Sequence, residues 1–138
     1  MTIIEIENEI IDEFELFGDD WEAKYEHLID LGKSLPKIKE KFKTEENIIK
    51  GCQSRVWLHS EKNGEVIVYT ADSDAIITKG MVALMVRVFN EQMAKDIVES
   101  KLEFIDKIGL KEHLSPTRAN GLVSMINRMK LDALELSK

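Results

Sequence analysis

The sequence is poor in cysteine and in positive charge. Cys52 is its only cysteine, which excludes an intrachain disulfide and leaves the thiol free for exchange. Lys and Arg number 19 against 26 Asp and Glu, giving a net charge of −7 and an isoelectric point near 5.0. Because affinity for nucleic acid comes largely from clustered cations, this balance argues against a nucleic-acid partner. A lone thiol fits a reducing compartment, and we expect a cytoplasmic protein.

Long apolar runs and familiar cofactor motifs are missing as well. No apolar stretch approaches the roughly 20 residues that span a bilayer. The first residues alternate Ile with Glu where a signal peptide has basic residues, so we expect no membrane partner. The histidines His27, His59 and His113 have no metal-ligand spacing, and neither a phosphate loop nor a dinucleotide-binding glycine motif occurs. The sequence therefore predicts no metal site and no bound cofactor.

The length and composition are those of one domain spanning residues 1–138. With 138 residues and 43% hydrophobic content, the chain can bury a single core. Apolar residues at spacings of three and four predict amphipathic helices, whereas alternation predicts strands. The expected helices are 3–17, a second ending near Gly32, 75–89, a short one starting at Asn90 and one from Pro116 into the 130s. The expected strands are 48–49, 54–60 and 65–70.

Turn and cap residues mark the ends of several elements. The pair at 63–64, Asn-Gly, has the form of a two-residue hairpin turn. Residues 72–74 have the short oxygen-bearing side chains that cap a helix, so we expect them to begin the helix at 75–89. That helix is apolar around nearly its whole circumference and should be buried, with Gly80 allowing another element to approach closely. Ser115 followed by proline predicts a strong start for the last helix.

The residues around Cys52 mark a change from loop-like to strand-like sequence. Gly51 lets the backbone adopt positive φ just before the thiol, so Cys52 can project from a bend. After it, Val56 and Leu58 alternate with residues of the opposite face, which is the period of a half-buried strand. The sequence therefore predicts a thiol on a loop that enters a sheet.

From the residues alone, the chemical character of this thiol is open. Free cysteines are often buried and inert. A reactive Cys52 is favoured by the cations Lys50 and Arg55, which stabilise a thiolate, and by Gln53 and Ser54, which are unusual beside a core position. A cysteine–histidine hydrolase is a further alternative, because such a dyad meets in space and not in sequence, although no oxyanion-hole motif is visible.

Four segments, in the expected order, resemble the SufE family of sulfur-acceptor proteins, which work with pyridoxal-phosphate cysteine desulfurases. The resemblance runs from about Trp21 to Lys130. Its segments are Trp21, Lys24-Tyr25, Leu31-Gly32 and Leu35-Pro36; Gly51 to Leu58, read GCQSRVWL; Asp72-Ser73-Asp74-Ala75 with Lys79 and Gly80; and Leu114 to Leu122 with Met125 and Ile126. The number and order of these segments make the resemblance specific.

The resemblance implies an α+β fold, in which a small antiparallel three-stranded meander sheet is packed by helices, similar to the IscU-type scaffold. It also implies that Cys52 accepts persulfide sulfur from a SufS-like or CsdA-like desulfurase. The chain would stimulate that enzyme and pass the sulfur to SufBCD-type iron–sulfur cluster assembly machinery. Residues expected to support the loop or face the partner are Gly51, Gln53, Ser54, Arg55, Asp74 and Arg118.

Two other functions stay open beside the sulfur acceptor. One is an adaptor that binds and stimulates a desulfurase without carrying sulfur, with Cys52 incidental. The other is an iron–sulfur scaffold, which a single cysteine disfavours because clusters are usually held by several thiolates. Transfer of sulfur to the chain is what separates the carrier from the adaptor.

We further expect Cys52 to be sheltered at rest and to become reactive when the desulfurase docks, because an exposed persulfide is easily lost. The expected cover consists of Ile48, Ile49, Val56 and the apolar helix after Asp74. Arg118 and the positive end of the helix that begins at Pro116 should lie near the loop, since both favour an anionic sulfur.

Overall fold

The computed structural model describes every residue from 1 to 138, and most of them lie in helices or strands. The helices are α1 (Ile3–Glu15), α2 (Trp21–Lys33), α3 (Ile76–Phe89), α4 (Ala94–Glu99), α5 (Phe104–Lys107) and α6 (Pro116–Leu136). The strands are β1 (Val56–Asn63), β2 (Val66–Ser73) and β3 (Gln92–Met93). Short 3-10 turns lie at Glu40–Phe42, Glu45–Asn47 and Lys111–His113. None of the helices is both long and apolar enough to cross a membrane.

The strands form one antiparallel sheet in the order β1-β2-β3. β1 and β2 pair along their whole length as a hairpin, from Val56 opposite Ser73 to Asn63 opposite Val66. Alternate residues of the hairpin face the helices and are buried, namely Val56, Leu58, Ile67, Tyr69 and Ala71. This arrangement confirms the predicted α+β fold with a small three-stranded antiparallel sheet.

The third strand is not the one predicted. Ile48 makes only an isolated bridge to β1, and residues 48–49 do not form a strand. The third strand is Gln92–Met93, in the segment where we expected a helix to start at Asn90. The Asn90 side-chain oxygen accepts a hydrogen bond from the Tyr69 N–H at 2.9 Å, which turns the chain from α3 onto β2. Helix α4 begins only after this pairing.

The hairpin turn is displaced by one residue from the predicted Asn-Gly pair. Asn63 still pairs with Val66, so the two turn residues are Gly64 and Glu65. Gly64 has a φ of +64°, a left-handed conformation that glycine adopts without strain.

Helix α3 is the centre of the core, as its apolar circumference predicted. It is buried on almost every side from Met81 to Phe89. Gly80 allows α2 to pack closely against it, because a Cβ at this position would lie 2.2 Å from the Leu28 carbonyl oxygen. The close approach predicted at Gly80 is confirmed, and the element that approaches is α2.

The cap predicted at residues 72–74 is wrong. Asp72 and Ser73 belong to β2, and the N-cap residue of α3 is Ala75, which offers no side-chain hydrogen bond. Asp72 instead forms ion pairs with Lys43 at 2.8 Å and Lys79 at 3.3 Å. The Ser73 hydroxyl accepts a hydrogen bond from the Ala75 N–H at 3.3 Å, so these side chains bind the end of the hairpin and the residue before the helix, and not the first turn of α3.

Helix α6 begins as predicted, with the Ser115 hydroxyl accepting a hydrogen bond from the Arg118 N–H at 3.3 Å. Its buried stripe consists of Leu122, Met125, Met129 and Ala133. The buried Tyr69 hydroxyl donates to the Met129 carbonyl oxygen at 2.8 Å and ties α6 to β2. This packing brings the first turns of α6 to the loop that contains Cys52.

Candidate functional site

Cys52 lies in the loop that leads into β1, hereafter the Cys52 loop (residues 50–55). The Ile49 N–H donates to the carbonyl oxygen of the first residue of β1 at 2.8 Å, which closes the base of the loop. Gly51 has a φ of +95°, and a Cβ at this position would lie 2.4 Å from the Ser124 hydroxyl oxygen on α6. The backbone conformation therefore requires glycine before the thiol, and the Ser124 side chain would have to move to admit a larger residue.

The exit from the loop is fixed by Arg55 and Asp74, two residues that the sequence singled out. The Asp74 carboxylate accepts a hydrogen bond from the Arg55 N–H at 3.1 Å, and the Asp74 N–H donates to the Arg55 carbonyl oxygen at 3.3 Å. The Ser73 hydroxyl donates to the same carbonyl at 2.9 Å. Arg55 is therefore held by its backbone, and its exposed side chain makes no hydrogen bond or ion pair.

The entrance to the loop is held by Arg128 of α6, which the sequence reasoning missed. Its guanidinium donates to the carbonyl oxygens of Glu46 at 3.1 Å and Ile48 at 3.4 Å. The same group is oriented by Asp132, one helical turn later, at 3.1 Å. The four-residue spacing of Arg128 and Asp132 predicts their ion pair from the sequence. The carbonyl oxygens that Arg128 binds come close to it only in the folded chain.

The thiol is half-buried and rests against the second turn of α6. Its sulfur lies 3.5 Å from the Gly121 carbonyl oxygen, to which the S–H donates. A cavity of about 50 Å³ opens beside it. Its lining consists of Cys52, Gln53, Ser54, Thr78, Met81, Thr117, Arg118, Gly121 and Met125.

The cover over the thiol differs in part from the expectation. Ile48, Ile49 and Val56 were expected to shelter it, but none of them lines the cavity. Helix α3, the expected apolar helix after Asp74, contributes Thr78 and Met81 to the lining. The remaining cover comes from α6, whose approach depends on long-range packing that the local sequence pattern does not reveal.

Burial raises the pKa of the Cys52 thiol above its ordinary value, and no charged neighbour offsets this effect. Lys50 and Arg55 were expected to favour the thiolate, but both are exposed and neither lowers the pKa of the thiol. The hydrogen bond to the Gly121 carbonyl also favours the protonated form, since only a thiol can donate. At rest, Cys52 is therefore a neutral thiol near pH 7.

The mouth of the cavity is polar and positively charged. Gln53, Thr117 and Arg118 are exposed there, and Ser54 is half-buried. The Arg118 guanidinium makes no hydrogen bond or ion pair within the chain, so its charge faces solvent at the first turn of α6. The structure thus brings Gln53, Ser54 and Arg118 to the thiol, whereas Arg55 and Asp74 lie at the base of the loop.

No histidine lines the cavity, so the structure provides no cysteine–histidine dyad. His27 bonds to Glu13, and His59 bonds to Glu61. No group of three or more His, Cys, Asp and Glu side chains is arranged to hold a metal ion. The chemistry that the site offers is therefore that of one sheltered thiol with a cation at the cavity mouth.

Comparison with known proteins gives consistent matches. Residues 8–133 match the family model described as "SufE: Fe-S metabolism associated domain". An uncharacterized SufE-like protein of Rhizobium meliloti strain 1021 is 43% identical over 131 residues, which cover 91% of this chain and 93% of the relative. An uncharacterized SufE-like protein of Rhizobium etli is 40% identical over 131 residues, which cover 91% and 88%. The solution structure of a hypothetical protein from Thermus thermophilus has a similar fold, with a TM-score of 0.79 over 95% of each chain at 16% identity.

Proposed function

This chain belongs to the SufE family, a family associated with Fe-S metabolism, and on that premise we propose that Cys52 accepts persulfide sulfur from a cysteine desulfurase. The chain stimulates the desulfurase by removing its sulfur and passes that sulfur to SufBCD-type assembly machinery. Pyridoxal phosphate belongs to the desulfurase in this scheme.

The transfer is a thiol exchange without net oxidation. The Cys52 thiolate attacks the outer sulfur of the desulfurase persulfide, so that a new bond forms between Cys52 Sγ and that sulfur. The bond between the outer sulfur and the desulfurase cysteine breaks, and that cysteine leaves as a thiolate. The proton lost from Cys52 when it ionises is available to the leaving thiolate, so both atoms and charge balance.

The observation that carries this proposal is the position of Cys52 over its cavity. The thiol is the only one in the chain, it lies in a loop closed at its base, and a cavity of about 50 Å³ adjoins its sulfur. A space of this size holds a water-sized group. One additional sulfur atom therefore fits between the loop and helices α3 and α6.

The same geometry supports a resting state that becomes reactive on docking. A neutral thiol with a raised pKa is a weak nucleophile, since the thiolate is the attacking species. Gly51 permits the loop to turn outward, and the solvent-facing charge of Arg118 lies at the cavity mouth. Contact with the desulfurase would expose the thiol and place it beside that positive charge, which favours the thiolate.

The weak resting nucleophile is also the one observation that favours the adaptor as a second candidate. An adaptor binds and stimulates the desulfurase while its own cysteine stays protonated and unused. Both candidates bind the desulfurase, and they differ only in whether sulfur reaches this chain.

Intact mass separates the two candidates. The protein is incubated with a desulfurase and cysteine, and its mass is taken without reductant, with Cys52→Ser as the matched control. We expect the native chain to gain the mass of one sulfur atom and Cys52→Ser to gain none. Stimulation of cysteine turnover without any gain in mass would establish the adaptor.

A further inference from the structure

Thr78 is the one buried polar side chain in the lining of the Cys52 cavity. It lies in the first turn of α3 and is only 6% exposed. A helical threonine often donates to the carbonyl one turn earlier, but the Thr78 hydroxyl makes no hydrogen bond to any protein atom. Every fully buried side-chain oxygen and nitrogen in the chain has a partner, so the unpartnered Thr78 hydroxyl oxygen keeps some accessible surface, and Thr78 lines the Cys52 cavity.

The rest of the cavity lacks a buried donor. Met81 and Met125 supply apolar walls and are each 1% exposed. The other polar side chains, Gln53, Ser54, Thr117 and Arg118, are exposed or half-buried near the mouth. Because the Thr78 hydroxyl has no partner in the chain, it is available to donate to a ligand or a water in the cavity.

The protonation state of the Cys52 sulfur determines which hydrogen bonds it can make. The neutral thiol donates to the Gly121 carbonyl oxygen at 3.5 Å. Once the sulfur is an anion it can no longer donate, and the carbonyl oxygen then faces a negative charge. An anionic sulfur in this recess therefore requires a hydrogen-bond donor from another direction.

We propose that the Thr78 hydroxyl is that donor, which holds the Cys52 thiolate and, after transfer, the outer sulfur of its persulfide inside the cavity. The part that concerns the thiolate depends only on the geometry of the cavity. The part that concerns the persulfide rests on the proposed function. In the resting state the same hydroxyl is free, so it becomes useful only when the sulfur ionises.

The thiolate part is tested by the pH dependence of Cys52 alkylation with iodoacetamide. Thr78→Val removes the hydroxyl and keeps the shape, Thr78→Ser keeps the hydroxyl, and Thr70→Val is a matched loss of a hydroxyl on β2, outside the cavity lining. We expect Thr78→Val to raise the pH midpoint by about one unit, the effect of one hydrogen bond to an anion. Thr78→Ser and Thr70→Val should keep the native midpoint.

A midpoint unchanged in Thr78→Val, or raised equally in Thr78→Ser, would overturn the inference. The second result would mean that packing of the methyl group, and not the hydroxyl, controls the sulfur. Thermal unfolding of each variant shows whether the fold is kept, and Thr78→Ala replaces Thr78→Val in the same comparison if the valine variant does not fold.

The persulfide part is tested after loading with a desulfurase and cysteine, by following the loss of the added sulfur to a phosphine reductant with intact mass. We expect Thr78→Val to lose its sulfur several times faster than the native chain, and Thr78→Ser to lose it at the native rate. Equal lifetimes in all three proteins would refute the persulfide part. If the native chain never gains sulfur, the proposed function fails, while the alkylation midpoints still decide the role of Thr78 toward the thiolate.

Discussion

Replacement of Gly51 by alanine should damage the site and the fold together. Gly51 has a φ of +95°, and the new Cβ would lie 2.4 Å from Ser124 Oγ and 3.2 Å from Ser124 Cβ. Gly18→Ala is a matched control, because Gly18 has a φ of +56° and a Cβ added there would meet nothing within 4 Å. Both variants carry the left-handed strain of about 1–2 kcal/mol. Only Gly51→Ala adds the collision with α6.

Once the Ser124 hydroxyl has rotated away, the remaining contact with Ser124 Cβ should cost Gly51→Ala about 1 kcal/mol more than Gly18→Ala, the low end of the range for inserting a methyl group into a packed contact. In a domain of this size, 1 kcal/mol corresponds to a shift of roughly 4 °C in the melting midpoint. The loop should also lift from α6, so that Cys52 loses burial and its pKa falls toward the ordinary value. Alkylation near pH 7 should then accelerate, by about tenfold for each pKa unit lost.

Thermal unfolding and iodoacetamide kinetics measure both effects. Ser124→Gly removes the atoms that collide with the new Cβ. The double variant Gly51→Ala/Ser124→Gly should therefore regain the free energy of unfolding that the collision costs, which a double-mutant cycle measures as a coupling energy. Equal melting midpoints and equal alkylation rates in Gly51→Ala and Gly18→Ala would refute the contact between the Cys52 loop and α6.

The remaining predictions concern the thiol, the packing of α2 on α3 and the entrance to the Cys52 loop. Burial raises the pKa of Cys52 in the folded state, so the protonated thiol contributes to the free energy of unfolding below the unfolded-state pKa near 9. This contribution is lost as the pH rises through the folded-state pKa. Chemical unfolding from about pH 8 to 10.5 should therefore show the native chain losing stability relative to Cys52→Ser. Gly80→Ala should lower the melting midpoint by more than about 10 °C, since its Cβ would collide with the Leu28 backbone carbonyl. Arg128→Ala should accelerate Cys52 alkylation several-fold, because it releases the two carbonyl oxygens at the loop entrance. Arg128→Lys should alkylate almost as fast as Arg128→Ala, because an ammonium lacks the planar fork that reaches both carbonyls. A native alkylation rate in Arg128→Ala would show that Arg128 does not hold the loop entrance.

The sequence predicted secondary structure and burial correctly in segments whose structure depends on local patterns. The alternation after Cys52 predicted a half-buried strand, and Val56 and Leu58 are buried as that pattern requires. Apolar residues around the whole of α3 predicted a central helix, and Ser115 predicted the start of α6. In these segments the periodicity and the capping residue determine the structure without help from distant parts of the chain.

The secondary-structure predictions were wrong where contacts between distant parts of the chain determine the structure. Two isoleucines at 48–49 have strand-forming side chains, yet only Ile48 bridges to β1. The two residues of β3 are too few to show a period, and their pairing depends on Asn90 reaching Tyr69. Asp72 has the chemistry of a helix cap, but its ion pairs with Lys43 and Lys79 place it in the hairpin.

Some residues of the candidate site could likewise be predicted from the sequence, and others could not. Gly51 and Cys52 could be identified from composition and local conformation, and Arg118 from its place at the start of a helix. Thr78 and Arg128 could not, because a threonine in an apolar helix and an arginine in an amphipathic one are ordinary in sequence. Their roles depend on the distance between α3, α6 and the Cys52 loop.

The most direct test of sulfur transfer to Cys52 follows isotopically labelled sulfur from cysteine through a desulfurase to this chain. Peptide mapping under non-reducing conditions should find the label on the peptide that contains Cys52, and nowhere on Cys52→Ser. A reductant should release it, as expected for a persulfide. Label that remains on the desulfurase while this chain accelerates cysteine turnover would contradict the acceptor role and leave Cys52 without a part in sulfur transfer.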